Sequence, residues 1–336
     1  MKHKNTGIFG IGNPLIDVVI NVENNDLNNL GVEKGIMHLV DEDRQKEILN
    51  YFKNAMPIFH PGGSAPNTLI ACAGLGITGV ISGKIGNDAF GEIYKSQVEK
   101  YGIISRLVLG DGTTGSSIIL VTPDGERTMN THLGMCQEFS FSDIDESLLA
   151  MAEYLYFTGY MWDTESQKSA INHALSIAKE KNIKVIFDVA DPFAVQRYKD
   201  AFLNLIESDV DIVFANQTEL SILFDTEEIE KATKSLGQIV NVGAVKLGKD
   251  GCLVIDNGNL SKIPSRPILA KDSTGAGDMF AAGFMAALYR GSSYTEAGEI
   301  GGYLAEEIIQ IPGAQFERSV IKQLNEEISW TQESPN

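Results

Sequence analysis

The sequence predicts an α/β fold: a three-layer sandwich on a mostly parallel central sheet, with a small second β-sheet set apart as a lid. Three observations carry this. From residue 154 onward, short β-branched runs alternate with runs of helical period, which gives a parallel sheet covered on both faces. The strand-like segments at 15–22 and 116–130, with one near 36–40, break that alternation and form the small sheet. No linker, repeat or low-complexity tract divides the 336 residues. One domain over 1–336 is therefore expected, with lid strands inserted from about 14–40 and 103–131.

The elements follow in order. Residues 7–11 form a short apolar strand, Gly12-Asn13-Pro14 a turn, and 15–22 a second, β-branched strand. Gly62-Gly63-Ser64-Ala65-Pro66-Asn67 opens an apolar helix ending near Leu75-Gly76. Residues 80–85 are a strand, and 88–101 an amphipathic helix capped by Asn87 and stopped by Gly102. Strands at 116–121 and 126–130 flank Thr122-Pro123-Asp124-Gly125, a hairpin turn. Strand 154–158, helix 164–181, strand 184–188, helix 192–206, strand 211–214, helix 218–224 and strand 239–247 then succeed one another. Residues 252–255 and 260–263 make a hairpin around Asn257-Gly258, and helices near 275–290 and 294–309 close the domain. The acidic tail after Gln323 is expected to fray.

Composition excludes several classes. Hydrophobic residues make up 43% and charged residues 21%, ordinary for a globular domain. No apolar run reaches the roughly 18–20 residues that span a bilayer. The N-terminus, Met1-Lys2-His3-Lys4-Asn5, lacks the apolar core of a signal peptide, so cytoplasmic residence is the expectation. Cys72, Cys136 and Cys252 lie far apart and make no metal-ligand spacing; they read as reduced core thiols. Lys and Arg total 27 against 45 Asp and Glu, a formal charge of −18. That field opposes nucleic acid and anionic membrane, so an anionic ligand must be held by local donors and a divalent cation.

Asp272-Ser273-Thr274-Gly275-Ala276-Gly277-Asp278 carries the chemistry. Small residues stand directly before an acid, and an apolar run at 279–289 follows. A tight turn of free N–H groups at a helix start binds anions, because the orphan donors and the dipole's positive end point the same way. A carboxylate at that mouth would repel an anion that is merely bound. It has a purpose if it takes a proton from a hydroxyl while the amides hold the phosphoryl group under attack. The segment reads as a phosphotransferase centre, although simple capping would use the same Ser, Thr and Asp. Gly7-Ile8-Phe9-Gly10-Ile11-Gly12 has the wrong spacing for a dinucleotide fingerprint, and no Walker A sequence is present.

Together with Gly12-Asn13-Pro14-Leu15-Ile16-Asp17, Gly62-Gly63-Ser64-Ala65-Pro66-Asn67 and Asn216-Gln217-Thr218-Glu219, this segment resembles the ribokinase-like (PfkB) family of carbohydrate and purine kinases. The resemblance covers nearly the whole chain and is strongest to the adenosine kinase branch. It implies the ribokinase-like fold, ATP and Mg²⁺ as cofactors, K⁺ as a candidate activator, and a nucleoside or sugar as the small-molecule partner, in a monomer or homodimer.

The resemblance also implies roles. Asp278 is the general base, and Gly275, Ala276 and Gly277 form the anion hole beside Thr274. Arg127, on the lid, comes down on the phosphates. Asn13, Asp17 and Asn67 hold a ribose, with the Gly62 and Gly63 backbone close to it. Met37, Leu39, Met129 and Tyr160 are candidates for the base pocket, with Leu133 and Met161 beside them. Asn216, Lys246, Gly248 and Gly251 border the nucleotide. Glu219 places Mg²⁺ through water, and Asp272 lies near a candidate monovalent-cation site. His132 falls where the adenosine kinase pattern usually varies. Read from the residues alone, Asp17 is equally a solvent-side acid on a two-faced strand, Glu219 a first-turn acid, and Lys246 and Arg127 solvated cations.

The leading expectation is phosphorylation of a primary hydroxyl, the 5′-hydroxyl of adenosine. A sugar kinase keeps the chemistry and changes the acceptor. A nucleoside- or nucleotide-binding protein without catalysis is the rival of another class.

Overall fold

The computed structural model describes residues 6–330; the fraying expected for the last six residues lies outside them. β1 (Thr6–Ile11) is wholly buried and passes through Gly12-Asn13-Pro14 into β2 (Leu15–Asn21). α1 (Asn24–Leu30), β3 (Met37–Leu39), α2 (Glu42–Tyr51) and β4 (Ile58–Gly62) follow. The sequence reading has no α1, α2 or β4. α1 is rich in Asn, a weak helix former, and β4 contains Pro61, tolerated because it is an edge strand. α3 (Ser64–Gly74), β5 (Gly79–Gly86), α4 (Ala89–Lys100) and β6 (Ile104–Gly110) come next. The cap of α4 is Asp88, whose Oδ1 accepts the Gly91 amide at 2.8 Å, and not Asn87.

β7 (Ser116–Val121) and β8 (Arg127–His132) form the expected hairpin. The second half runs α5 (Glu146–Leu149), β9 (Ala152–Thr158), α6 (Glu165–Lys181), β10 (Lys184–Asp188), α7 (Pro192–Asp209), β11 (Ile212–Asn216) and α8 (Gln217–Leu223). It continues with α9 (Ile229–Ile239), β12 (Val242–Lys246), β13 (Cys252–Asp256), β14 (Asn259–Ile263), α10 (Ala276–Tyr289), α11 (Tyr294–Ile308) and α12 (Arg318–Glu327). The strand expected at 239–247 starts only at Val242, because Ile239 ends α9, whose Ala232 and Leu236 pack one face inward. The tail does not fray directly after Gln323: α12 continues to Glu327, buries Ile321 and Leu324, and the Arg290 guanidinium stacks 3.9 Å from the Trp330 ring.

The large sheet has the order β14-β13-β12-β11-β10-β9-β1-β5-β6, parallel from β12 to β6 and antiparallel in the last hairpin. β6 belongs here, paired with β5, and not to the lid insertion at 103–131 where the sequence reading puts it. Alternate residues of each strand enter two cores. Ile8, Tyr154 and Tyr156 face the layer of α3, α10, α11 and α12, while Phe9, Ile11, Leu155 and Phe157 face α5 to α9.

The small sheet has the order β3-β8-β7-β2-β4. One face packs Ile16, Val18, Ile20, Ile118 and Leu120 against α1 and α2. The register stacks the other face in rows. One row is Asp17, Ser117, Thr131 and Leu39; the next is Val19, Ile119, Met129 and Met37. That face looks toward the C-terminal ends of β10, β11 and β12, and a cavity of about 1520 Å³ lies between.

Candidate active site

The turn before α10 is built as its sequence requires. Gly275 is the N-cap, at φ 77°, a conformation that a side chain resists. Its carbonyl accepts the Met279 amide at 2.9 Å and starts the helix. Among the described residues, the amides of Gly275, Gly277 and Asp278 have no protein acceptor. The Ala276 amide is not open: it donates to the Ser273 carbonyl at 3.2 Å.

Asp278 stands in the first turn and faces α3. Its Oδ1 accepts from Ser64 Oγ at 2.6 Å and its Oδ2 from Asn67 Nδ2 at 2.9 Å. Burial pushes the carboxyl up to about 7; the bonds from Ser64 and Asn67 pull it down, Asp188 pushes it up and Lys246 pulls it down. A base poised near neutrality suits proton transfer.

A second cluster lies at the strand ends. Lys246 Nζ pairs with Asp188 Oδ2 at 3.0 Å and sits 3.3 Å from the point where a Gly277 Cβ would project. Burial works against the Lys246 charge, but Asp188 and Glu219 outweigh it and hold the ammonium above its ordinary value. Glu219 closes a capping box with Asn216: its oxygens accept from the Asn216 amide at 2.7 Å and from Nδ2 at 2.6 Å, while Asn216 Oδ1 accepts the Glu219 amide at 2.9 Å. Burial raises the Glu219 pKa, with Lys246 opposing. The capping explanation of Glu219 therefore holds, and it coexists with a place in the cavity wall.

Asp17 lies across the cavity on β2 with no hydrogen-bond donor near it among the described residues. Its pKa is raised to about 7 by burial, lowered by Arg127 and raised by Asp278. A Cβ on Gly62 would meet Asp17 Oδ1 at 2.5 Å, so glycine is required behind the carboxylate. Gly63, at φ 95°, has its missing Cβ directed into the Asn13 carbonyl. The Asn13 side chain is already engaged: Oδ1 accepts from Gln167 at 2.9 Å and Nδ2 donates to the Tyr160 carbonyl at 3.5 Å.

The cavity brings most of the expected residues together. Asn13, Asp17, Gly63, Asn67, Met37, Leu39, Met129, Leu133 and Tyr160 line it from the sugar and base side. Asn216, Glu219, Lys246, Gly248, Gly251 and Thr274 line it with the turn from Gly275 to Asp278. Gly62, Arg127, Asp272 and Met161 do not line it. Met161 is fully buried in the core under α6 and α7. Arg127 and Asp272 are paired with each other at 3.1 Å.

Residues that sequence reasoning missed include Ser64, Asp188 and Gln315. Ser64 was legible, since it stands one helical turn before Asn67 on the same face. Asp188 is an acid at the C-terminal end of a parallel strand, which is a signal in itself. Gln315 carries no local motif.

The residues fit Mg²⁺ held through water. Both Glu219 oxygens are occupied by Asn216, and Mg²⁺ keeps several of its own waters. Among the described residues, no three His, Cys, Asp or Glu side chains gather to hold a metal directly. The Asp272 carboxylate does not fit a monovalent cation. Its oxygens accept from the Thr274 amide and hydroxyl at 2.9 and 2.6 Å and from the Gly313 amide at 2.8 Å, and a guanidinium stands beside it.

The comparisons give the family and the fold. The model of the pfkB family of carbohydrate kinases matches residues 42–320. An adenosine kinase of Dictyostelium discoideum is 29% identical over 332 residues, which cover 92% of this chain and 96% of that protein. A solved adenosine kinase of Sinorhizobium meliloti matches with a TM-score of 0.86 at 32% identity, over 96% of this chain and 99% of that one. A solved probable sugar kinase of Rhizobium etli CFN 42 matches with a TM-score of 0.87 at 30% identity, over 96% and 98%. From α2 through the turn before α10 and into α12, then, the chain belongs to the pfkB family of carbohydrate kinases: it phosphorylates a hydroxyl acceptor and is similar to the adenosine kinases.

Proposed function

We propose that the protein transfers the γ-phosphoryl group of ATP to the 5′-hydroxyl of adenosine, with Asp278 as general base. One observation carries the reading. The Asp278 carboxylate, anchored by Ser64 and Asn67, stands within the same turn as the open amides of Gly275 and Gly277. Proton removal and anion capture are then adjacent. The acceptor hydroxyl loses its proton to Asp278 as its oxygen attacks phosphorus, and the amides take the charge that spreads over the phosphoryl oxygens. Lys246 adds a positive charge against the same turn. Glu219 would hold Mg²⁺ through water, and the ion would supply neutralisation of the phosphate charge.

The small sheet supports a nucleoside as acceptor. Its row of Asp17, Ser117 and Thr131 is polar, with Ser117 Oγ and Thr131 Oγ1 2.8 Å apart, and suits vicinal hydroxyls. The neighbouring row of Ile119, Met129 and Met37 is an apolar shelf that suits a flat aromatic base. A simple sugar leaves that shelf wet, with Met37 41% exposed.

ADP release measured across adenosine, other nucleosides and simple sugars tests the assignment. Adenosine is expected to give the highest kcat/KM, and Asp278→Asn to fold normally and lose about 10²–10⁴ in kcat. Preference for a free sugar would move the protein to the sugar kinases. Binding without ADP formation would make it a nucleoside-binding protein.

A further inference from the structure

The segment between α11 and α12 touches the turn before α10 at two successive residues and α3 at the next. The Gly313 amide donates to Asp272 Oδ2 at 2.8 Å. Ala314 fills the space beside Gly275, where a Cβ would come within 2.7 Å of its backbone. Gln315 reaches past the turn to α3: its Nε2 donates to Asn67 Oδ1 at 2.7 Å and to the Pro61 carbonyl.

The second bond fixes the direction of the whole chain of contacts. The Pro61 carbonyl can only accept, so the Gln315 nitrogen must face it. The same nitrogen then meets Asn67, which must answer with its oxygen. Asn67 is left with Nδ2 toward Asp278 Oδ2, at 2.9 Å. One backbone carbonyl thus sets, through two amides, that the catalytic carboxylate meets a donor.

We propose that Gln315 is a positioning residue for phosphoryl transfer: by donating to Asn67 Oδ1 it turns the Asn67 amide so that Nδ2, and not the oxygen, faces Asp278. This rests on Asp278 being the base. With the amide so turned, Asp278 is oriented and its ionised form is favoured. Were the amide reversed, two acceptors would face each other in a buried site. The other groups that act on Asp278 are Ser64 of α3, Asp188 of β10, Lys246 of β12, Asp17 of β2, Tyr156 of β9 and Tyr160 just beyond it. Gln315 touches none of these, so its effect passes through Asn67.

The test is the pH dependence of kcat/KM, which reports the free enzyme. Gln315→Glu keeps the shape and replaces the donor with an acceptor. It is expected to lower kcat/KM at neutral pH at least tenfold and to move the acid limb up by about one unit, the size of one lost charged hydrogen bond. Gln315→Met removes the donor without reversing it and is expected to do the same in smaller measure, about threefold. Thermal unfolding accompanies both, and where Gln315→Glu does not fold, Gln315→Met decides. An acid limb that stays in place in the folded variants, while Asp278→Asn is inactive, overturns the role of Gln315 alone. An Asp278→Asn variant with wild-type turnover overturns the underlying reading instead.

Discussion

Lys246 reaches over the end of β11 to Asp188, 3.0 Å away, and the pair is nearly enclosed, with side chains 18% and 4% exposed. One strand, β11, separates their backbones in the sheet. The bridge sets a positive charge behind the Gly277 amide while the lysine also faces Glu219.

Removing the lysine leaves two buried acids without their cation. Lys246→Met is expected to lower unfolding stability by about 3 kcal/mol, the low end for breaking a buried pair. Asp188→Asn is expected to cost less, because Lys246 keeps Glu219 as a partner. Urea unfolding of the two variants measures the difference, and an equal loss in both would deny Glu219 that share.

Acids with raised pKa values give the ligand-free protein an unusual pH profile. Asp17 and Asp278 are both shifted from 3.8 to about 7, chiefly by burial. Between those values the folded state binds more protons than the unfolded one, so stability falls as pH rises from about 4 to about 7 and then levels. Asp272, held below its ordinary value by hydrogen bonds that outweigh its burial, acts only below that window. Thermal melts of the ligand-free protein at pH 5 and pH 7.5 are expected to show the higher Tm at pH 5. Asp17→Asn should flatten the difference and raise the Tm at pH 7.5 while weakening acceptor binding. A melt unchanged between the two pH values would deny the buried-acid account.

Arg127 is carried on β8 and held by Asp272, with its Nε buried and unpartnered. If it leaves that ion pair to meet phosphate, it would affect turnover more than acceptor binding. Arg127→Ala is expected to lower kcat by about 10³ with the acceptor KM changed only a few-fold. Steady-state kinetics with both substrates separates the two. An unchanged kcat would reduce the arginine to a partner of Asp272.

The large sheet was legible because its strands are short, β-branched and separated by helices of clear period. β9, β10, α6 and α10 lie within a few residues of where the pattern puts them. The small sheet was legible only in part. β2, β7 and β8 alternate and end in turn residues, whereas β4 is five residues with a proline, paired as an edge strand. β6 has no clear period, and only its long-range pairing with β5 assigns it to the large sheet. In the site, the turn before α10 announced itself because small residues stand directly before an acid and an apolar run follows. Gln315 did not, since its meaning comes from a partner 248 residues away.

Two glycines of the same turn separate folding from chemistry. Gly275 sits at φ 77°, and its Cβ would crowd Ala314 at 2.7 Å. Gly275→Ala is expected to cost about 1–3 kcal/mol in stability from backbone strain and to displace Ala314 as well. Gly277 has helical backbone, and its Cβ would meet only the Lys246 Nζ at 3.3 Å, a contact relieved by a shift of a few tenths of an ångström. Alanine is the better helix former by about 1 kcal/mol, so Gly277→Ala is expected to hold or raise Tm. Its methyl would nonetheless stand where a phosphoryl oxygen must approach the amide, and kcat is expected to fall at least a hundredfold. Thermal melts and ADP-release kinetics on the pair check both halves. A Gly277→Ala enzyme as active as the wild type would mean that no phosphoryl oxygen comes to that amide.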